Sequence, residues 1–325
     1  MTQMVLNADR ASDLTINRHI YGHFAEHLGR CIYDGMWVGE DSPVPNIRGW
    51  RQDIVDALIE LKVPNIRWPG GCFAEQYHWR DGIGPRDQRP KYYDEPNTVG
   101  TAEFMDLCEI LDTQAYLCGN LASGSTQEIV DWLDYIRGAG DTPMANLRRE
   151  HGRAEPWDRV KFWCFGNESM GCGGMMTAEY FAEHFRHMAS NVGGVSKVAC
   201  GPNHENYVWT EKLMRIAGDM MDGLAMHYYT IIGPWADKGD AVEFDAYEWG
   251  RTMAKVWYTE ELVREHDYIM TRYDPEKRVG LVVDEWGTWF NRADGADLCW
   301  QQNTLRDAMV AATSFNIFQN HCDRV

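Results

Sequence analysis

Two stretches of this chain end an apolar run on a carboxylate. KFWCFGNES (161–169) stops on Gly166-Asn167-Glu168, and GLVVDEWGTWF (280–290) runs through Leu281-Val282-Val283 into Asp284-Glu285. Taking a carboxylate out of water is costly unless something pairs with it. Each ending is therefore either a solvated loop residue or a group held over a pocket for chemistry. Two neighbouring carboxylates cannot both ionise cheaply, so one pKa rises and the pair divides into acid and base. Glycoside hydrolysis needs that division, with a protonated carboxyl at the leaving oxygen and an ionised one that attacks or activates water. Asn167 could hydrogen-bond a sugar 2-hydroxyl, and Trp286 and Trp289 could wall the pocket.

The elements that must position these residues alternate. Apolar or β-branched runs occur at 65–68, 115–121, 160–165, 197–200, 223–227 and 280–283, with an earlier one near 16–24. Helical periodicity fills the intervals at 50–61, 101–111, 125–136, 177–190, 210–217, 247–273 and 304–318. Ser125 with Glu128, and Thr177 ahead of Glu179 and Tyr180, read as helix N-caps. Short, continuously apolar strands suit a parallel sheet covered on both faces. The repeated β-then-α order points to an α/β fold, either a (β/α)8 TIM-type barrel or an open doubly wound sheet. The barrel is favoured because no G-x-G-x-x-G follows a strand. Polar residues also recur at strand C-termini: Glu26 and His27, Arg67, Asn120, Asn167 and Glu168, Asn203, His227 and Tyr229, Asp284 and Glu285. Seven strand–helix units are legible, so the barrel is expected to stop before its eighth strand, with residues 1–325 forming one catalytic domain.

Composition narrows the partners. The chain has 325 residues, 44% hydrophobic and 12% aromatic, with a net charge of -18. This acidity, without any basic run, argues against nucleic acid or an anionic membrane as partner. The segment MTQMVLNADRASDL lacks a basic stretch followed by an apolar one, so no secretory leader is expected. Nine cysteines without a C-x-x-C pair disfavour a zinc ribbon or redox site, and Cys108, Cys118, Cys164 and Cys200 read as reduced core thiols. A cytoplasmic location is expected.

Five motifs, IYGHFAEHLGR (20–30), NIRWPGGCFAEQYHWRDGIGPR (65–86), WCFGNES (163–169), MHYYT (226–230) and VVDEWGTW (282–289), together resemble the α-L-arabinofuranosidases of glycoside hydrolase family 51. The resemblance implies a barrel glycosidase with Glu168 as general acid/base and Glu285 as the nucleophile that forms a covalent arabinosyl-enzyme. By the same resemblance Glu26, Arg67, Cys72, Asn167, His227, Tyr229 and Trp289 are expected at the substrate. Glu26 would hold sugar hydroxyls, Asn167 the 2-hydroxyl, Tyr229 the nucleophile, and Trp289 an aromatic wall. On the residues alone, Cys72 reads equally as a small core hydrophobe. No metal or cofactor is implied. The implied partners are arabinose-containing oligosaccharides and, in the full-length protein, further copies of itself in a hexamer. The family continues into an eighth strand and a C-terminal β-sandwich that this chain does not include.

Other readings compete. The stretch His23–His27 fits H-x-x-E-H, a zinc protease pattern, but Gly22 and Gly29 bracket it and Ile20-Tyr21 reads as strand. Glu183, His184 and His187 share one helical turn, where solvated charge is the plainer reading. Asp81-Gly82-Ile83-Gly84 reads as a turn, and no G-x-S-x-G elbow is present. An endo-acting β-glucanase on the same barrel and a non-catalytic carbohydrate-binding barrel or inactive fragment remain as alternatives.

Overall fold

A computed structural model describes residues 13–91, 95–292 and 299–325. The segment that carries no leader pattern lies mostly in residues 1–12, outside the described residues. Seven parallel strands form one sheet in sequence order: β1 (His23–Phe24), β2 (Asn65–Trp68), β3 (Gln114–Gly119), β4 (Val160–Phe165), β5 (Ser196–Ala199), β6 (Gly223–Thr230) and β7 (Gly280–Thr288). The helices cover its outer face: α1 (Gln52–Leu61), α2 (Thr101–Ile110), α3 (Thr126–Arg137), α4 (Pro143–Glu150), α5 (Ala178–Ala189), α6 (Tyr207–Ala217), α7 (Ala246–Val256), α8 (Tyr258–Tyr273) and α9 (Leu305–Asn320). This is the expected (β/α)8-type barrel with seven of its strands in place.

The alternation of side chains along the strands sorts two cores. Tyr116 and Cys118 of β3, Cys164 of β4, Val198 of β5 and Ala225 of β6 form a small interior cluster, with Phe162 and Val282 against it. These positions repeat with period two and fill the bore with modest side chains. The larger cluster lies between strands and helices, where Trp68, Phe104, Trp132, Trp163, Phe165, Phe181 and Phe185 are fully enclosed. Cys108, Cys118, Cys164 and Cys200 are free thiols buried in these cores, as expected.

Several boundaries differ from the sequence reading. Residues Arg18–Tyr21 form a 3-10 turn rather than strand, because Asn17 caps it and accepts from the His19 N–H. The segment at 247–273 is two helices broken at Trp257, and α4 carries too few apolar residues for its periodicity to stand out. Strands β6 and β7 run on to Thr230 and Thr288, so His227, Asp284 and Glu285 sit within strands and not just past them. Ser125 does cap α3 through the Glu128 N–H at 3.2 Å, but the Glu128 carboxylate turns to the His78 ring at 2.9 Å.

Between β7 and β1 the ladder is open among the described residues. Helix α9 spans this side. Its Phe315 and Phe318 pack on Trp286 of β7, and its Gln319 donates to the Tyr21 hydroxyl next to β1 at 2.8 Å. The Leu281 N–H of β7 donates to the Arg324 carbonyl at 2.7 Å.

Candidate active site

Glu285 is built into β7 opposite His227 of β6, where a register irregularity between Ala225 and His227 re-aims the side chains. Both of its oxygens are held. Arg67, from the end of β2, donates to Oε1 at 2.7 Å, and the Tyr229 hydroxyl donates to Oε2 at 3.0 Å. A fixed cation and a fixed donor hold the two oxygens in one orientation at the edge of the cleft. Gly71 is required beside it, since a Cβ there would lie 2.8 Å from Glu285 Oε1 and 3.2 Å from Glu26 Oε1. The Gly70-Gly71 pair thus admits two carboxylates.

Glu168 follows β4 in a left-handed backbone conformation, φ 41°, two residues after Gly166 at φ 82°. Such a conformation is uncommon for a non-glycine residue and lifts the side chain off the strand line toward the mouth. Its Oε1 lies 3.1 Å from the Asn203 amide nitrogen, which donates to it, and 3.0 Å from His227 Nδ1. Burial pushes the Glu168 carboxyl up, but the hydrogen bond and charge of His227, with Arg67 and His204 beyond, outweigh it and hold it below the ordinary value. One oxygen of Glu168, one of Glu285 and a ring nitrogen of His227 all lie within 4.8 Å of one another.

Beneath both glutamates lies a closed ionic floor. His227 Nδ1 is also 3.4 Å from Glu285 Oε2, and its Nε2 is 3.3 Å from Asp284 Oδ1. Asp284 in turn accepts from the Tyr116 hydroxyl at 2.7 Å and faces Arg67 Nε at 3.4 Å. Burial alone would lower the His227 pKa; Glu285, Asp284 and Glu168 together raise it well above the ordinary range. Asn167 is turned inward, accepting from Arg67 Nη2 at 2.6 Å. A single guanidinium therefore orients the nucleophile candidate, the residue before Glu168, and the aspartate behind the imidazole.

The wall opposite comes from the segments after β1 and β2. Glu26 Oε1 accepts the Gly71 and Phe73 N–H groups at 2.8 and 3.3 Å, and burial together with the Glu285 charge pushes its carboxyl up to about 7. Cys72 is joined to Cys172 in a disulfide that links the loop after β2 to the loop after β4. Over the site stand Tyr229, Trp289 and Trp235, in successive edge-to-face contacts at 5.1 and 4.8 Å. They border an open cleft of about 2060 Å³ that Glu26, Cys72, Glu168, Glu285 and Trp300 also line.

The structure brings the nine site residues expected from the sequence into one region but divides their surfaces. Glu26, Cys72, Glu168, Tyr229, Glu285 and Trp289 line the cleft, whereas Arg67, Asn167 and His227 lie under it. His227, expected at the sugar, is 4% exposed because its ring is taken up by three carboxylates. Asn167, expected at a 2-hydroxyl, is 1% exposed and spent on Arg67. Asn203, Asp284, Tyr116 and Cys172 were not among those nine. Asn203 and Asp284 carried a signal, a polar residue at a strand end, but the disulfide partners lie 100 residues apart and left none.

Among the described residues two groups have metal-ligand spacing: Glu168, His227 and Glu285, and Cys72, Glu168 and Cys172. In the first the atoms are already satisfied by one another and by Arg67, and in the second the sulfurs are bonded together. The H-x-x-E-H stretch is not helical; His23 lies in β1 and His27 is enclosed against Phe73, with ring centroids 4.5 Å apart. On α5, His184 is 3.3 Å from the Leu121 carbonyl and Glu183 faces Arg186 at 4.0 Å.

Residues 57–247 match the family model described as the alpha-L-arabinofuranosidase 1 domain, and residues 284–325 match the alpha-L-arabinofuranosidase C-terminal domain. The chain is 45% identical to an intracellular exo-alpha-L-arabinofuranosidase of Bacteroides ovatus, over 99% of this chain and 65% of the relative. It is 34% identical to alpha-L-arabinofuranosidase C of Emericella nidulans, over 93% of this chain and 63% of that protein. The chain thus spans just under two thirds of the curated relatives it matches. Among solved structures, the GH51 arabinofuranosidase of Xanthomonas axonopodis pv. citri superposes with a TM-score of 0.95 at 46% identity, covering 98% of this chain and 67% of that one. The arabinose complex of the Thermotoga maritima alpha-L-arabinofuranosidase superposes with a TM-score of 0.85 at 34% identity, covering 97% and 64%.

Proposed function

The chain belongs to the glycoside hydrolase family 51 α-L-arabinofuranosidases, and on that premise we propose that the whole protein is a retaining, exo-acting α-L-arabinofuranosidase. Its substrates are terminal α-L-arabinofuranosyl groups on arabinan- or arabinoxylan-derived oligosaccharides. It works in the cytoplasm, and the full-length protein assembles as a hexamer, as the family resemblance implies.

The observation that carries the reading is the placement of Glu168 and Glu285 oxygens within 4.8 Å across one cleft. Retaining enzymes hold their carboxyls about 5–5.5 Å apart and inverting ones about 6.5–9.5 Å apart, to leave room for water. In the first step a Glu285 oxygen attacks the anomeric carbon and the glycosidic C–O bond breaks. The Glu168 proton passes to the departing oxygen. In the second step Glu168, now a base, takes a proton from water as that water's oxygen displaces Glu285 from the sugar, restoring both carboxyls.

The proton for the first step is shared between Glu168 and His227 across their 3.0 Å contact. With the cleft open to water, the charge-separated form, imidazolium beside carboxylate, is favoured. A sugar that fills the cleft removes that water and shifts the pair toward neutral imidazole and protonated Glu168. Arg67 and Tyr229 hold the two Glu285 oxygens in place meanwhile. Glu26 is suited to a furanose hydroxyl, and Trp289 and Trp235 to the sugar face. Arg67, Asn167 and His227 orient the reacting groups from below.

The test is hydrolysis of an aryl α-L-arabinofuranoside by the full-length protein, compared with the aryl glucoside and xyloside and with Glu285→Ala. Turnover confined to the arabinofuranoside and lost in the variant is expected. A folded full-length protein that turned over only the glucoside would overturn the assignment in favour of a glucanase, and no turnover at all would leave a binding barrel.

A further inference from the structure

Glu75 is a buried carboxyl that the reaction above does not use. It closes the 3-10 turn Cys72–Glu75 after β2 and is 0% exposed. Its partners are three main-chain N–H groups and the Ser169 hydroxyl, which donates to Oε1 at 3.5 Å, rather than a basic side chain. Oε1 accepts from the Asn167 N–H at 2.5 Å, and Oε2 accepts from the Leu121 and Ala122 N–H groups at 2.7 and 2.8 Å. Room is kept for it, since a Cβ at Gly166 or Gly173 would come within 3.0 or 2.8 Å of Oε1. The loops after β2, β3 and β4 thus converge on one carboxylate, and the residue it grips on β4's loop immediately precedes Glu168. Burial pushes the carboxyl up to about 7 against the pull of those N–H groups.

Glu168 stands in a left-handed conformation that its own side chain does not favour. Something must hold the peptide before it, and Asn167 cannot do so from its side chain, which is spent on Arg67. We propose that Glu75 is a positioning residue for proton transfer: its carboxylate fixes the Asn167 peptide and thereby aims Glu168 at the leaving oxygen. The role rests on the glycosidase reading above. The chemistry requires a carboxylate because only an acceptor at both ends can take N–H groups from two loops at once. A glutamine would present its NH₂ to one set of N–H donors. An NH₂ on the Oε1 side keeps the Leu121 and Ala122 N–H groups paired and can itself donate to the Ser169 hydroxyl, so the bond to Asn167 is the one given up and Glu75→Gln frees the turn that carries Glu168.

A displaced general acid has a signature that general destabilisation lacks. Leaving groups that need protonation suffer, and leaving groups that depart as anions do not. In the full-length protein, kcat/KM is measured for a series of aryl α-L-arabinofuranosides from 2,4-dinitrophenyl to phenyl and alkyl. Glu75→Gln is expected to lower the poor-leaving-group rates by on the order of a hundredfold and the dinitrophenyl rate by less than about threefold, with arabinose inhibition unchanged. Equal losses across the series overturn the role and leave Glu75 structural. If Glu75→Gln does not accumulate as folded protein, Glu75→Asp, which keeps the charge but shortens its reach, is put through the same series with the same two outcomes. Turnover by the unmodified protein with a wild-type slope in the variant overturns the role of Glu75 alone. Absence of arabinofuranoside turnover by the unmodified protein overturns the glycosidase reading and the role with it.

Discussion

His227 Nδ1 stands 3.0 Å from Glu168 Oε1, so the acid/base candidate and the imidazole titrate as one pair. The proton that the reaction needs is lost from the pair only at the raised His227 value, well above that of an isolated glutamate. His227→Gln leaves a hydrogen-bonding amide but no second basic site. The alkaline limb of kcat/KM is then expected to move to lower pH, toward that of a lone buried carboxyl, with a loss of about tenfold or more at neutral pH. A pH–rate profile on an aryl arabinofuranoside checks this; an unmoved alkaline limb would show that the two groups are not coupled.

Gly71 leaves no room for a methyl group beside Glu285, the proposed nucleophile. A Cβ there would lie 2.8 Å from Glu285 Oε1, which must move because Glu26 stands on the other side. Displacing a reacting atom by about an ångström costs on the order of a hundredfold, so Gly71→Ala should lower kcat by that amount with little change in thermal midpoint. Loss of midpoint without loss of kcat would contradict the account.

Glu26 has a sign that is easily checked by melting. Its folded pKa of about 7 exceeds the ordinary 4.5, so the folded state holds its proton more tightly than the unfolded chain. The unfolded state therefore loses that proton first as pH rises. Stability falls between about pH 4.5 and 7 by roughly 3 kcal/mol from this group and is flat above. Glu26→Gln removes the term while keeping an oxygen for the Gly71 and Phe73 N–H groups. Its midpoint advantage over the wild type should grow through that window, as read by thermal melts at stepped pH.

The Cys72–Cys172 bridge closes a loop of 100 residues beside Glu168. A cross-link of that span restricts the unfolded chain by up to about 4–5 kcal/mol, so Cys172→Ala should lower the thermal midpoint by several degrees. Because the bridge also tethers the loop carrying Glu168, a reducing agent should lower the wild-type midpoint and leave the variant unmoved. Peptide mapping before and after reduction identifies the pair directly.

The barrel and its two carboxylates were legible because each rests on a local pattern. Leu281-Val282-Val283 and the run into Phe165 are strands by composition, and polar residues at their ends mark the mouth. What escaped depends on the register of distant strands. Nothing near His227 announces that β6 and β7 slip between Ala225 and His227, which turns an expected sugar contact into a buried bridge between carboxylates. Asn167 likewise reads as a ligand residue beside Glu168, until Arg67, 100 residues earlier, claims its oxygen. Glu75 left no signal, since a glutamate in a polar loop sequence looks solvated until three backbone N–H groups close on it.

The ionic floor has a consequence for inhibitors. Glu26, Glu168 and Glu285 border the cleft and Asp284 lies beneath it, while Arg67 and His227, the cations that touch these carboxyls, are both buried and already engaged. A five-membered imino sugar protonated at its ring nitrogen would bring a further cation to the carboxyls that border the cleft. It should bind more tightly than arabinose itself and lose that advantage on N-acylation, which keeps the shape and removes the charge.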